Sequence, residues 1–293
     1  MYYIVYSIFY LVSLLPMRVL YFLSDAFYGL TYYILKYRRD VVASNLKIAF
    51  PEKTDKERKR IEKKFYHNFI DSFVEMIKLV SASERFIEKR FTANWDVVNN
   101  VYESGRRAHL HLGHNFNWEW GNVVLGKKTP FKFLAVYTPI TNKVFEKLFF
   151  KLRSRSGVTM LPSNKMKDAF LPYRNTQYLL GLVADQNPSN PARAWWFDFF
   201  GKPAPFVKGP AKNAIASEAV IILASIKKTK RGYYEGIFSI DEEHPEQYTE
   251  QELTKKFIGY LENNIRENPD LWLWSHRRWR WEWKEGFEPI ISR

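Results

Sequence analysis

Ala108-His-Leu-His-Leu-Gly-His-Asn-Phe-Asn-Trp-Glu119 is the stretch on which the reading of this chain turns. Its first half, from Arg107 to Leu112, reads as a strand. Gly113 then permits a sharp turn, because a residue without Cβ tolerates backbone conformations that others avoid. Phe116 to Leu125 reads as a helix, with Asn115 or Asn117 placed to cap its start. His114 therefore falls in the loop at the carboxyl edge of a sheet, where open α/β folds put their ligands. His109 and His111 share one face of the strand by its period of two.

Working outward, the same alternation recurs. Strands are predicted at Phe131–Tyr137, Tyr178–Ala184, Ala219–Ile226 and Tyr233–Ile240. Helices are predicted from Val41 to Pro51, over 54–80, and at Thr141–Arg155, Lys208–Ser217 and Glu250–Arg266. This rhythm argues an α/β class: a central, mostly parallel sheet flanked by helices. No internal repeat or low-complexity linker interrupts it.

The first residues read differently. Tyr2–Leu15 and Val19–Leu35 are nearly all apolar or aromatic, broken by Pro16 and Arg18, and Lys36, Arg38 and Arg39 follow. Neither stretch reaches the roughly 20 apolar residues of a straight transmembrane helix. Pro16 kinks or ends a helix. The expectation is a membrane-anchoring helix or helical hairpin over residues 1–36 and a catalytic domain over 37–293, with the basic cluster on the cytoplasmic side. A buried core hairpin is the competing reading. No signal-peptide pattern is present, so this segment is expected to be retained.

Composition narrows the partners. The formal net charge is +14 and aromatics make up 17% of the 293 residues. A basic excess calls for an acidic partner, and Trp and Tyr favour the headgroup region, so membrane is preferred over nucleic acid, for which no recognition motif is present. The chain has no cysteine, which excludes disulfides, thiolate metal sites and cysteine nucleophiles.

His114 and Glu119 are the candidate catalytic pair: a general base with a carboxylate from the first helical turn fixing its tautomer. The His-x4-Glu spacing is met equally by a loop histidine and an ordinary helix-start acid. Three close histidines raise a metal site as a rival, but their placement on a strand and beyond its turn gives no ligand spacing, and no metal or cofactor is expected. No Gly-x-Ser-x-Gly elbow is present. Direct attack by a deprotonated acceptor is the simpler scheme. Five of the ten tryptophans fall within 272–283 beside Arg277, Arg278 and Arg280, which suits a headgroup interface or a core strand. Trp195–Phe200 reads as an acyl-groove lining or as core, and His276 as a second functional histidine or a structural one.

These blocks together resemble the bacterial lipid A secondary acyltransferases, within the wider His-x4-acid glycerolipid acyltransferases. The likeness runs through Gly113–Glu119, Leu15-Pro16, Tyr37–Val41, Asn45-Leu46, Ala49–Pro51, Leu152–Gly157, Ala184–Pro188, Phe206–Ala211 and Trp272–Trp279. The resemblance implies an acyl donor carried on acyl carrier protein and a hydroxyl of a lipid A precursor as acceptor. It also implies His114 as base with Glu119 as its partner. Arg153 or Arg155 would serve phosphate or oxyanion, and Asp185 and Asn187 would lie in the same site. An enzyme on the cytoplasmic face of the inner membrane follows as an expectation. The alternatives are an aminoacyl lipid or lysophospholipid acceptor, or a non-catalytic lipid-binding protein.

Overall fold

Ten strands order the described residues: β1 (Phe91–Ala93), β2 (Ala108–Leu112), β3 (Lys132–Tyr137), β4 (Thr159–Pro162), β5 (Tyr178–Val183), β6 (Trp195–Phe199), β7 (Lys202–Phe206), β8 (Val220–Lys230), β9 (Tyr233–Glu242) and β10 (Ile290–Ile291). They come from a computed structural model that describes residues 1–292. The central sheet runs β1-β9-β8-β2-β5-β3-β4, and β2 is parallel to both its neighbours, β5 and β8. The β8–β9 hairpin supplies the antiparallel pairing at one side. β2 is buried on both faces, as a central parallel strand must be, which explains its nearly unbroken apolar and histidine content.

Eleven α-helices surround the strands among the described residues: α1 (Tyr2–Leu14), α2 (Met17–Gly29), α3 (Arg39–Ala49), α4 (Asp55–Lys78), α5 (Glu84–Glu88), α6 (Asp96–Glu103), α7 (Trp118–Lys128), α8 (Lys143–Ser154), α9 (Met166–Phe170), α10 (Gly209–Ser217) and α11 (Glu250–Glu267). α10, α11 and a small sheet β10-β6-β7 cover one face, joining Ile221 and Leu223 of β8 in a core with Phe197, Phe199, Phe257 and Trp272. α6 and α7 cover the other, packing on Leu110, Ile222 and Phe238. Both long helices α4 and α11 start on a capping box, Thr54 with Glu57 and Thr249 with Glu252.

Several elements differ from the sequence reading, and the cause is local in each case. β1 and β4 are too short to show a period. β7 contains Pro203 and Pro205, which argue against a strand; it is tolerated because β7 is the edge of its small sheet. Trp196, Phe197 and Phe199 are core residues and line no groove. The C-terminal run is likewise core at Trp272, Trp274, Arg278 and Trp279, with Trp283 left exposed.

The N-terminal helices are not a buried hairpin. Tyr3, Ile4, Leu11, Phe22 and Phe27 are more than half exposed. No single helix among the described residues is long and apolar enough to cross a membrane; α1 and the second helix, which runs on past α2 over Met17–Ile34, qualify only as a pair bent by 114°. The bend at Pro16 is built in: the Lys78 ammonium donates to Ser13 O at 2.7 Å and Leu15 O at 3.0 Å, satisfying carbonyls orphaned at the end of α1. α2 is clamped to α4, since Arg231 bridges Asp25 and Asp71, each at 2.7 Å.

Glu75 of α4 ties three regions together. Its fully buried carboxylate accepts from the hydroxyls of Tyr21 on α2 and Tyr234 on β9, each at 2.7 Å, and from Asn117 Nδ2 at 2.8 Å. Burial pushes this carboxyl up, and the hydroxyls of Tyr21 and Tyr234 pull against that shift. Glu75→Gln replaces an accepting oxygen with a second donor in the same space. Urea denaturation of the detergent-solubilised chain is expected to show a loss of roughly 2–3 kcal/mol; a loss below about 0.5 kcal/mol contradicts this role for the carboxylate.

Candidate active site

Strand register sets the site. Leu112 of β2 pairs with Val183 of β5, and Ala184 N donates to Leu112 O at 3.1 Å, so His114 and Asp185, each two residues further on, stand abreast. The imidazole Nδ1–H donates to Asp185 Oδ1 at 2.5 Å. The other carboxylate oxygen accepts from the His114 backbone N–H at 2.8 Å and from the Trp272 indole at 2.6 Å. A Cβ on Gly113 would stand 3.2 Å from Asp185 Oδ2 and 2.7 Å from Leu261 Cδ1, so only glycine allows this approach without displacement. Burial opposes ionisation of Asp185, but the adjoining imidazole and these donors outweigh it and hold the carboxyl down at about 2.

The carboxylate on the imidazole is therefore Asp185, in place of Glu119. Asn117 caps helix α7, its side-chain oxygen accepting from Trp120 N at 3.3 Å, and Glu119 in the first turn faces α8. There Arg153 grips it as a fork: Nη2 reaches Oε1 at 2.5 Å and Nε reaches Oε2 at 3.0 Å. The Trp118 indole donates to Oε1 at 3.1 Å. Among the described residues no ion pair joins His114 to Glu119. Both nevertheless line one cavity of about 730 Å³, together with Arg153.

Arg155 lies apart from this cavity. Its guanidinium donates to Leu79 O and, at 2.7 Å, to Ala82 O, closing the end of α4. Arg153, not Arg155, is the arginine at the site. Asn187 lines the cavity, but its amide is engaged behind it: Nδ2 donates to Arg277 O at 2.7 Å, and Oδ1 accepts from Arg278 Nη1 at 2.9 Å. His276 accepts from Asn187 N at 3.3 Å and takes the hydrogen-bonded structural role; burial pulls it down to about 4. His109 and His111 are buried on the opposite face of β2 from the cavity-lining Leu110 and Leu112, and burial pulls His111 to about 4, so it is neutral. No group of three or more metal-binding side chains occurs among the described residues.

The histidine loop is pinned from outside the sheet. Phe116 N donates to Leu271 O at 3.0 Å, and Leu273 N donates to His114 O at 3.1 Å. The 271–276 segment is in turn held by Asn45, whose amide reaches Trp274 O and His276 O at 2.8 Å, and by Arg38, which reaches Ser275 O at 3.0 Å. Sequence reasoning missed two contributors, Trp272 and Gln186. Their signal was adjacency: one sits in the C-terminal tryptophan block and the other beside Asp185. The inner end of the cavity is apolar, lined by Leu125, Phe133, Ala224 and Phe238 between the sheet and α7.

A family model for bacterial lipid A biosynthesis acyltransferases matches residues 1–281 of the 293. No curated protein matches the chain.

The two arginines have separable consequences. Arg153→Ala strands a nearly buried carboxylate and is expected to lower turnover of the purified protein at least tenfold, by roughly 1.4 kcal/mol or more. Arg155→Ala is expected to lower the melting temperature while the folded fraction turns over at close to the normal rate. Equal loss of turnover in both would remove the distinction.

Proposed function

The chain belongs to the bacterial lipid A biosynthesis acyltransferase family and is an acyltransferase of lipid A synthesis, and from that premise we propose that His114 is the general base that activates the acceptor hydroxyl. The observation that carries this is the His114–Asp185 pair opening onto the cavity. With Nδ1–H committed to Asp185, the Nε2 lone pair is the one that can take a proton. The acceptor hydroxyl gives its proton to Nε2 as its oxygen attacks the thioester carbonyl. The carbonyl electrons move to oxygen; as they return, the carbon–sulfur bond breaks and the thiolate takes the proton from the imidazolium. Asp185 stays ionised throughout and steadies the charged ring. No covalent acyl-enzyme is needed.

Glu119 acts by holding Arg153. The carboxylate engages one edge of the guanidinium, Nε and Nη2, and the remaining Nη1 is the donor available to the developing oxyanion. The apolar inner cavity takes the acyl chain, since hydrocarbon needs a dry slot and few polar partners. Acyl carrier protein is the donor carrier in this reading and a lipid A precursor the acceptor. Both are acidic, which suits a chain of net charge +14.

The enzyme sits on the cytoplasmic face of the inner membrane, held by α1 and α2 lying in one leaflet. α1 has 13 residues, about 20 Å of helix, and α2 runs on through a five-residue turn, Leu30–Ile34, to about 25 Å, each short of a hydrocarbon core of about 30 Å. Their exposed aromatic and aliphatic side chains support insertion along the surface, with Lys36, Arg38 and Arg39 at the headgroups.

Lipid mass spectrometry on a host lacking its own late acyltransferases tests the reading. The intact gene is expected to add one acyl mass to lipid A, and His114→Ala to abolish it. A gain confined to phospholipids or aminolipids moves the acceptor; full activity in His114→Ala overturns the base. A second expectation concerns the cavity. Ala224→Leu fills part of its inner end and is expected to shift the transferred chain toward shorter lengths. An unchanged chain-length distribution would place the acyl group elsewhere.

A further inference from the structure

The free nitrogen of the proposed base is already occupied. Gln186 follows Asp185 directly, lines the cavity and is half-buried, and its Nε2 stands 3.2 Å from His114 Nε2. Because Nδ1 carries the proton shared with Asp185, Nε2 is an acceptor, and the Gln186 amide donates to it. The residue after it is fixed: Asn187 is bonded through its backbone N–H to His276 and through its side chain to Arg277 and Arg278. Among the described residues the Gln186 side chain makes this one hydrogen bond, while Asp185 before it is held by His114 and Trp272.

From this geometry, and resting on the reading of His114 as base, we propose that Gln186 is the gate of that base: it caps Nε2 in the resting enzyme and yields the position only to the acceptor hydroxyl. A cavity of about 730 Å³ has ample room for water. A water at an uncapped Nε2 would be activated as the hydroxyl is, giving its proton to Nε2 and its oxygen to the thioester carbonyl, with release of fatty acid and thiol. With the amide in place that water lacks the lone pair it needs. An acceptor bound by its acyl chains and headgroup brings enough binding free energy to displace one hydrogen bond of about 1 kcal/mol, and a lone water does not.

The test uses the full chain in phospholipid–detergent micelles with dodecanoyl-acyl carrier protein, with and without a lipid A precursor. Free fatty acid and acylated lipid are both counted. Gln186→Ala is expected to raise the ratio of acceptor-independent hydrolysis to transfer by about fivefold or more. Gln186→Asn, whose shorter amide is withdrawn from Nε2, is expected to move in the same direction. A structural defect would lower both reactions together and leave their ratio fixed, and that result overturns the proposal. His114→Ala separates the two levels. If it loses both reactions while the Gln186 variants leave the ratio unchanged, the gate alone is wrong. If it keeps transfer, the base reading falls and the gate with it.

Discussion

The hydrogen bond from His114 Nδ1 to Asp185 Oδ1, 2.5 Å long, is the contact around which the molecule is arranged. Two adjacent parallel strands deliver the partners in register, and both must turn immediately beyond their last paired residue to bring the side chains together. Gly113 makes one turn passable. Trp272 and the His114 amide fill the second oxygen of the carboxylate, so it reaches the imidazole ionised despite full burial. An acid so held fixes one tautomer, and that leaves a single nitrogen facing the cavity.

Much of the remaining fold supports that pair from behind. The segment 271–276 runs against the histidine loop, and Asn45 of α3 and Arg38 just before that helix secure the segment. On the other side Glu75 receives Asn117, the cap of α7, and Tyr21 from the N-terminal helices. Blocks far apart in sequence, near residues 38–45, 113–119, 184–188 and 272–279, therefore meet within one neighbourhood. Tryptophans suited by composition to a headgroup interface serve instead as the buried back wall of the site.

The strand ending at Leu112, the turn at Gly113 and the following helix were legible because period, glycine and cap residues act locally. So was the parallel α/β class, from the alternation of apolar runs. The partner of His114 was not. Spacing along the chain suggested Glu119, five residues away, whereas the strand register that brings up Asp185 has no local signature. Arg153 and Arg155 looked alike for a similar reason. They lie at the end of α8, but Arg153 reaches Glu119 and the cavity while Arg155 reaches the end of α4. The Pro-bearing strand β7 was hidden because its place at a sheet edge depends on tertiary pairing.

The central claim is that Asp185 fixes His114 as the base. Its most direct test is the rate of acyl transfer by purified Asp185→Asn, alongside a thermal melt of the same sample. Asparagine keeps the shape of the side chain and removes its charge, so it no longer secures the tautomer or the imidazolium. The account predicts a fall of about a thousandfold or more in a protein that still melts cooperatively. A folded Asp185→Asn variant within about threefold of the normal rate would contradict it.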